Sequence, residues 1–260
     1  MEHLTENNEY QTPAGTPAMI SRLCPSLAFH FRMLDIYRQG WWWAVRGVYD
    51  GEKWVHGSLR VIRALESVGV RFDIENLGLP DRLGGPVIFI ANHMSTLETF
   101  VLPGLIHPGK KIVFIVKESL LTFPFFGRVM SARNPIAVGR KNPREDLRLV
   151  LEEGAVRLSA GRSIVVFPQT TRSSTFIPEQ FNSIGIKLAK RADVPVVPIA
   201  LKTDGWGPGR LLKDFGPIRP ERKVRIAFGE PIRIEDGGRE QHEQVIRFIQ
   251  GKLEEWGKES

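Results

Sequence analysis

From residue 70 onward, short apolar runs recur along the chain: "VIFIA" (87–91), "KIVFIV" (111–116), "SIVVFP" (163–168), "VPVVPIAL" (194–201) and "VRIAFG" (224–229). They are continuously apolar rather than alternating, as expected of strands buried on both faces. Helix-like stretches separate most of them, among them "PREDLRLVLEEGAVRLSA" and "SIGIKLAKRA", and "GREQHEQVIRFIQGKLEEW" forms a last amphipathic helix. Strands alternating with helices predict an α/β fold with a mostly parallel central sheet flanked by helices. In such sheets ligands bind beyond the carboxyl ends of the strands.

Residues 18 to 69 have another texture. Apolar and basic residues are mixed without strand-like alternation, and Leu27, Phe31 and Leu34 recur at helical spacing. Gly40 is expected to break or bend the segment, giving two helices. Trp41, Trp42, Trp43 and Trp54 are dense there. Three consecutive tryptophans on a helix point in three directions, so they cannot all enter one core. Trp favours the lipid headgroup level, and Arg32, Arg38 and Arg46 are suited to lipid phosphates. The segment is read as a membrane-associating two-helix motif; packing against its own domain is the other reading. The chain thus divides into a tail and amphipathic helical hairpin (1–69) and an α/β domain (70–260).

Composition narrows the picture. The formal charge is +7, from 36 Lys and Arg against 29 Asp and Glu, which suits an anionic partner. The aromatic residues cluster in the hairpin rather than on basic strands, which argues against nucleic acid. Cys24, the single cysteine, excludes an internal disulfide framework and suits a reducing compartment. The first residues, "MEHLTENNEYQTPAGTP", lack the grammar of a secretory signal. No run of 18 apolar residues indicates a membrane span. The expectation is a peripheral protein on the cytoplasmic face of the membrane. No P-loop, G-x-G-x-x-G or HExxH pattern is present, so neither a metal nor a cofactor is expected.

The candidate chemistry lies in "ANHMSTLETF" (91–100), where a strand end meets a helix start. Ser95 to Glu98 fits an S-x-x-E capping box, which would make Glu98 structural and His93 a loop histidine. The alternative is a catalytic pair. His93 and Glu98 are five residues apart, about 140° around a continuous helix, so they meet only if His93 precedes the helix and folds back over its first turn. A carboxylate on one imidazole nitrogen would make the other a general base for a substrate hydroxyl.

Four blocks in order resemble the glycerolipid acyltransferases, the family that includes 1-acylglycerol-3-phosphate acyltransferase. "NHMSTLE" resembles the N-H-x4-D block, and "VKESLLTFPFFGRVMSARNPIAVGR" the second, with its lysine and terminal arginine. "VVFPQTTRSS" resembles F-P-E-G-T-R-S, and "VPVVPIAL" the V-P-V-x-P-V-A block. The resemblance spans roughly residues 70 to 230. It implies an O-acyltransferase that moves a fatty acyl group from acyl-CoA or acyl-carrier protein, as co-substrate, to a lysophospholipid. The implied acceptor is 1-acylglycerol-3-phosphate and the product phosphatidic acid, made at an anionic membrane surface. His93 would be the base and Glu98 its orienting carboxylate. Arg172 would bind the acceptor phosphate, with Arg140 and Lys117 adding positive charge. Asn92, Ser95, Gln169 and Thr171, within the same blocks, join the substrate-binding set.

Two departures stand out. Glu98 replaces the family aspartate, one methylene longer. Gln169 and Thr170 replace the usual Glu and Gly; a β-branched Thr170 is strained at positive φ, so the turn either differs here or never needed that conformation. The alternative functions are a lysolipid acyltransferase for another headgroup, for example an amino-acid-containing lipid, and a non-catalytic lipid- or acyl-carrier-binding protein.

Overall fold

The computed structural model describes residues 8–15, 21, 23–124, 126–169, 171–209 and 215–258. Thr170 therefore lies outside the described residues, as do 18–20 and residue 22 of the hairpin segment.

The described residues form an eight-stranded sheet, in the order β1-β2-β8-β7-β3-β6-β4-β5. Its strands are β1 (Tyr10–Gln11), β2 (Phe72–Glu75), β3 (Ile88–Ala91), β4 (Ile112–Lys117), β5 (Ile136–Val138), β6 (Ser163–Val166), β7 (Val196–Lys202) and β8 (Val224–Phe228). Only β1–β2 and β7–β8 pair antiparallel; the remaining pairs are parallel. The helices are α1 (Pro25–Val45), α2 (Gly51–Glu66), α3 (Leu79–Arg82), α4 (Leu97–Ile106), α5 (Phe126–Ser131), α6 (Pro143–Ser159), α7 (Ile184–Ala192) and α8 (Arg239–Lys258). The five apolar runs become β3, β4, β6, β7 and β8. β1, β2 and β5 are not legible in the sequence, because "YQ" and "IAV" are too short to show a pattern and "FDIE" carries two carboxylates and so is no continuous apolar run.

Strand alternation divides the core in two. Ile88 and Ile90 face a layer that includes Val150 and Leu158 of α6, Leu188 of α7 and Val245 of α8. Phe89 and Ala91 face the other layer, with Phe29 and Met33 of α1, Ile62 and Leu65 of α2, and Leu97 and Val101 of α4. Both faces are covered, which accounts for runs without polar interruption.

The hairpin differs from expectation in one respect. Gly40 does not break it: α1 runs through Gly40, which is buried. The chain turns instead at Gly47, whose φ of +70° suits glycine. α2 then begins with the Asp50 carboxylate accepting from Lys53 N–H at 2.9 Å. A hydroxyl sutures α2 to α4. Ser58 Oγ reaches the carbonyls of Phe100 (2.5 Å) and Val101 (3.0 Å) and accepts from Gly104 N–H at 2.7 Å. A Cβ on Gly104 would lie 2.6 Å from that oxygen, so only glycine permits the approach.

Trp54 turns inward rather than toward the surface. It packs on His107 at 5.5 Å and under the Arg133 guanidinium at 4.6 Å. His107 Nδ1 accepts from Ile112 N–H at 3.1 Å. Burial pushes this imidazole down to about 4, and the Arg133, Arg162 and Lys111 charges add to the effect. The unfolded chain therefore takes up the proton first as pH falls. Stability present above the ordinary histidine value of about 6.5 is lost toward pH 4, by about 2 kcal/mol after allowance for solvent screening. Urea unfolding at stepped pH should show this loss in the wild type and a shallower one in His107→Asn; parallel curves would assign the loss to other groups.

Candidate active site

The carboxyl end of β3 is fixed by a side chain acting as backbone. Past the last pair, Ala91 opposite Ile199, the Asn92 carboxamide donates to Leu201 O and accepts from Leu201 N–H, both at 2.8 Å. The chain leaves the sheet at a defined point, and His93 follows. Its N–H donates to Gln169 Oε1 (2.6 Å), and its carbonyl accepts from Ser173 N–H (2.9 Å). The loop after β6 thus holds the His93 backbone on both sides.

The ring is held as firmly. It stacks on Phe167 with centroids 4.3 Å apart, and Phe167 continues the stack to Phe114 at 6.2 Å. α4 starts at Leu97, so His93 precedes the helix, and its Nδ1 lies 2.5 Å from Glu98 Oε2. The imidazole is 17% exposed while the glutamate side chain is fully buried. A carboxylate has no proton to give, so Nδ1 carries the hydrogen and the neutral ring keeps its lone pair on Nε2.

Glu98 is both cap and partner. Its Oε1 accepts from Met94 N–H (2.7 Å), Ser95 N–H (2.8 Å) and the Thr203 hydroxyl (2.6 Å). The glutamate half of the expected capping box therefore forms. The serine half is altered: Ser95 Oγ accepts from Leu97 N–H at 3.1 Å, and Thr96 occupies the N-cap position but its side chain does not cap the helix. Four N–H or O–H groups aimed at one buried carboxylate solvate its negative charge in place of water. The extra methylene of Glu98 is accommodated, since one oxygen reaches the imidazole while the other stays on the helix start.

The structure regroups the expected substrate-binding residues. Asn92 and Ser95 are buried and direct their polar atoms into the protein. Gln169 is buried too, and its carbonyl oxygen is the acceptor for His93 N–H. That task needs an acceptor and no charge, which gives Gln169 a physical role in place of the family glutamate. Thr171 is exposed and Arg172 half-buried, both in the loop that grips His93. Lys117 and Arg140 sit further along the same edge. β5 is three strands from β3, roughly 14 Å at the usual spacing. Alternation sets Lys117 on the face of Val113 and Ile115, opposite Phe114, and hence away from the stacked His93 ring. Arg140 has φ +57°, with its N–H and that of Gly139 held by the Asp146 carboxylate at 2.9 and 3.0 Å.

Two residues of the site were not singled out from sequence. Phe167 lies inside the third block, where an aromatic beside the catalytic loop was a readable signal. Thr203 lies two residues beyond the fourth block, with nothing local to mark it.

The family model described as Acyltransferase matches residues 69–202. The chain belongs to the acyltransferase family. It is 30% identical over 175 residues to the 1-acyl-sn-glycerol-3-phosphate acyltransferase of Pseudomonas aeruginosa, covering 64% of this chain and 65% of that one. A Saccharomyces cerevisiae protein of the same name is 31% identical over 134 residues, covering 50% and 43%. The Cocos nucifera protein of that name is 26% identical over 164 residues, covering 62% and 51%. The matches thus span about two-fifths to two-thirds of these relatives' length. The 1-acyl-sn-glycerophosphate (LPA) acyltransferase PlsC from Thermotoga maritima superposes with a TM-score of 0.65 at 22% identity, over 92% of this chain and 97% of that one. The acyltransferase fold is therefore shared across nearly the whole chain.

Replacing Gln169 by leucine keeps the volume but leaves His93 N–H buried and unpaired, at about 1–3 kcal/mol. Calorimetry should show the melting temperature of Gln169→Leu lowered by roughly 3–10 °C. An unchanged melt would mean that the loop does not depend on this bond.

Proposed function

We propose that the protein transfers a fatty acyl group from an acyl-CoA or acyl-carrier-protein thioester to the free hydroxyl of 1-acylglycerol-3-phosphate, giving phosphatidic acid. The observation that carries the reading is the 2.5 Å contact between His93 Nδ1 and Glu98 Oε2 at the carboxyl edge of the sheet. The names of the curated relatives support the choice of acceptor.

In this reading His93 Nε2 takes the proton of the acceptor hydroxyl as its oxygen attacks the thioester carbonyl carbon. The imidazolium is stabilised by Glu98. Collapse of the tetrahedral intermediate breaks the C–S bond, and the imidazolium returns the proton to the departing thiolate. Arg172 is assigned the acceptor phosphate, since a guanidinium fork donates two parallel hydrogen bonds to such a group. Thr171 lines the same approach. Arg140 and Lys117 extend a positive field along the edge and draw anionic substrates toward it. No bound metal or organic cofactor is part of this chemistry.

We also place the protein on an anionic membrane at its cytoplasmic face. No helix among the described residues is long and apolar enough to cross a bilayer. α1 instead carries Leu27, Phe31, Leu34, Trp41 and Val45 within about 80° of arc, and they are between 36% and 64% exposed. The opposite side of α1 is occupied by Phe29 and Met33 of the core. Arg38 lies within this arc and Arg32 and Arg46 to one side of it, and an exposed face that mixes apolar and basic residues suits an interfacial helix lying in the headgroup plane. The exposed Cys24 thiol is compatible with a reducing compartment.

Incubating purified protein with 1-acylglycerol-3-phosphate and an acyl-CoA series, with products identified by mass spectrometry, should reveal phosphatidic acid. The His93→Ala rate should be lower by about 10² to 10⁴. A folded His93→Ala enzyme turning over like wild type would remove the base assignment, and transfer to another lysolipid alone would move the headgroup.

Membrane contact is tested with Leu27→Ser/Phe31→Ser/Leu34→Ser, which spares the core. Sedimentation with vesicles containing anionic lipid should fall for this variant. Salt should weaken wild-type binding, since each basic residue near the surface contributes about 1 kcal/mol. Equal sedimentation of variant and wild type would place the contact on another surface.

A further inference from the structure

We propose that Thr203 is a positioning residue of the active site: by holding Glu98 Oε1 it keeps Oε2 on His93 Nδ1 and so leaves Nε2 as the base. The inference rests on the reading of His93 as general base and deepens it.

Thr203 follows β7 and is fully buried. Its hydroxyl lies 2.6 Å from Glu98 Oε1 and 2.9 Å from Ser95 Oγ. Ser95 Oγ in turn accepts from Leu97 N–H at 3.1 Å. The direction of this chain is determined at one end. The carboxylate only accepts, so the Thr203 hydrogen points at Glu98, and the Ser95 hydroxyl must then donate to Thr203. A backbone amide, two hydroxyls and a carboxylate form one oriented series, each bond polarising the next.

The consequence is an asymmetry in the carboxylate. Oε1 receives three donors, from Met94, Ser95 and Thr203, and Oε2 receives His93 Nδ1. A glutamate has one more torsion to fix than an aspartate, and a third donor from another element holds it in a single rotamer. With Oε2 so held, Nδ1 remains the protonated nitrogen and Nε2 keeps its lone pair. The end of β7 thus aligns the base from two sides. Leu201 grips Asn92, the residue before His93, and Thr203 grips the carboxylate behind it.

The test uses full-length protein with ¹⁵N-labelled histidine, at about pH 9, where an ordinary imidazole is neutral. The His93→Asn spectrum identifies the His93 signals. Wild type should show the Nδ1–H tautomer. Thr203→Val, equal in shape but without the hydroxyl, should shift His93 toward Nε2–H, and Thr203→Ser should restore the wild-type spectrum. Glu98→Gln provides the reference for a fully reversed ring, because its amide NH₂ would face Nδ1. In acyl-transfer assays kcat of Thr203→Val should fall about tenfold, less than the 10² to 10⁴ typical of losing a base, with KM within about twofold and recovery in Thr203→Ser. A folded Thr203→Val protein with the wild-type tautomer overturns the proposal. Should that variant not fold, Thr203→Ala removes the same hydroxyl without adding a methyl group and must shift the tautomer in the same direction; an unchanged ring again overturns it. If wild type transfers no acyl group, the proposed function fails, yet the tautomer series still decides the role of Thr203.

Discussion

The buried Glu98 carboxylate is the interaction on which the site depends. A charge removed from water must be solvated by the protein, and here four donors do so from two parts of the chain: the His93–Ser95 turn supplies two amides and an imidazole, and the end of β7 a hydroxyl. Each donor is positioned by the others, because the turn can close only around the carboxylate. The start of α4, the His93 ring and the end of β7 are therefore one electrostatic unit rather than three neighbouring features.

The fold makes that unit possible by its strand order. β3 lies between β7 and β6, so both neighbours of His93 are carboxyl ends of parallel strands. β7 supplies Leu201 and Thr203 on one side, and the loop after β6 supplies Phe167, Gln169 and Ser173 on the other. The apolar stack of His93, Phe167 and Phe114 continues the core directly beneath the ring. An imidazole with one face on packed aromatics has little freedom to rotate, which suits a base that must meet a substrate hydroxyl in one geometry.

The hairpin joins this unit to the outside surface. Ser58 of α2 inserts its hydroxyl among the backbone groups of α4, the helix that carries Glu98. Phe29 and Met33 of α1 belong to the same core cluster as Leu97 of α4. On its other side α1 presents Leu27, Phe31 and Leu34 to solvent. A single helical layer thus connects an exposed apolar stripe to the first turn of the helix that holds the carboxylate.

The sequence by itself determined the strands β3, β4, β6, β7 and β8, because a strand buried on both faces must be apolar at every position and so reads as an unbroken run. It also marked the His93–Glu98 segment, because a strand end, a loop histidine and a helix-start carboxylate are contiguous in the chain. It misplaced the turn of the hairpin at Gly40, since only the packing around that buried glycine shows that the helix continues. It named Lys117 with the rest of its block, and only the packed His93–Phe167–Phe114 stack shows which face of β4 lies beneath the ring. Only the tertiary structure decided that Gln169 holds the His93 amide from 76 positions away, and that Thr203 holds Glu98 from 105. Propensity and periodicity are local, whereas the solvation of a buried charge is set by whichever strand ends the sheet order places beside it.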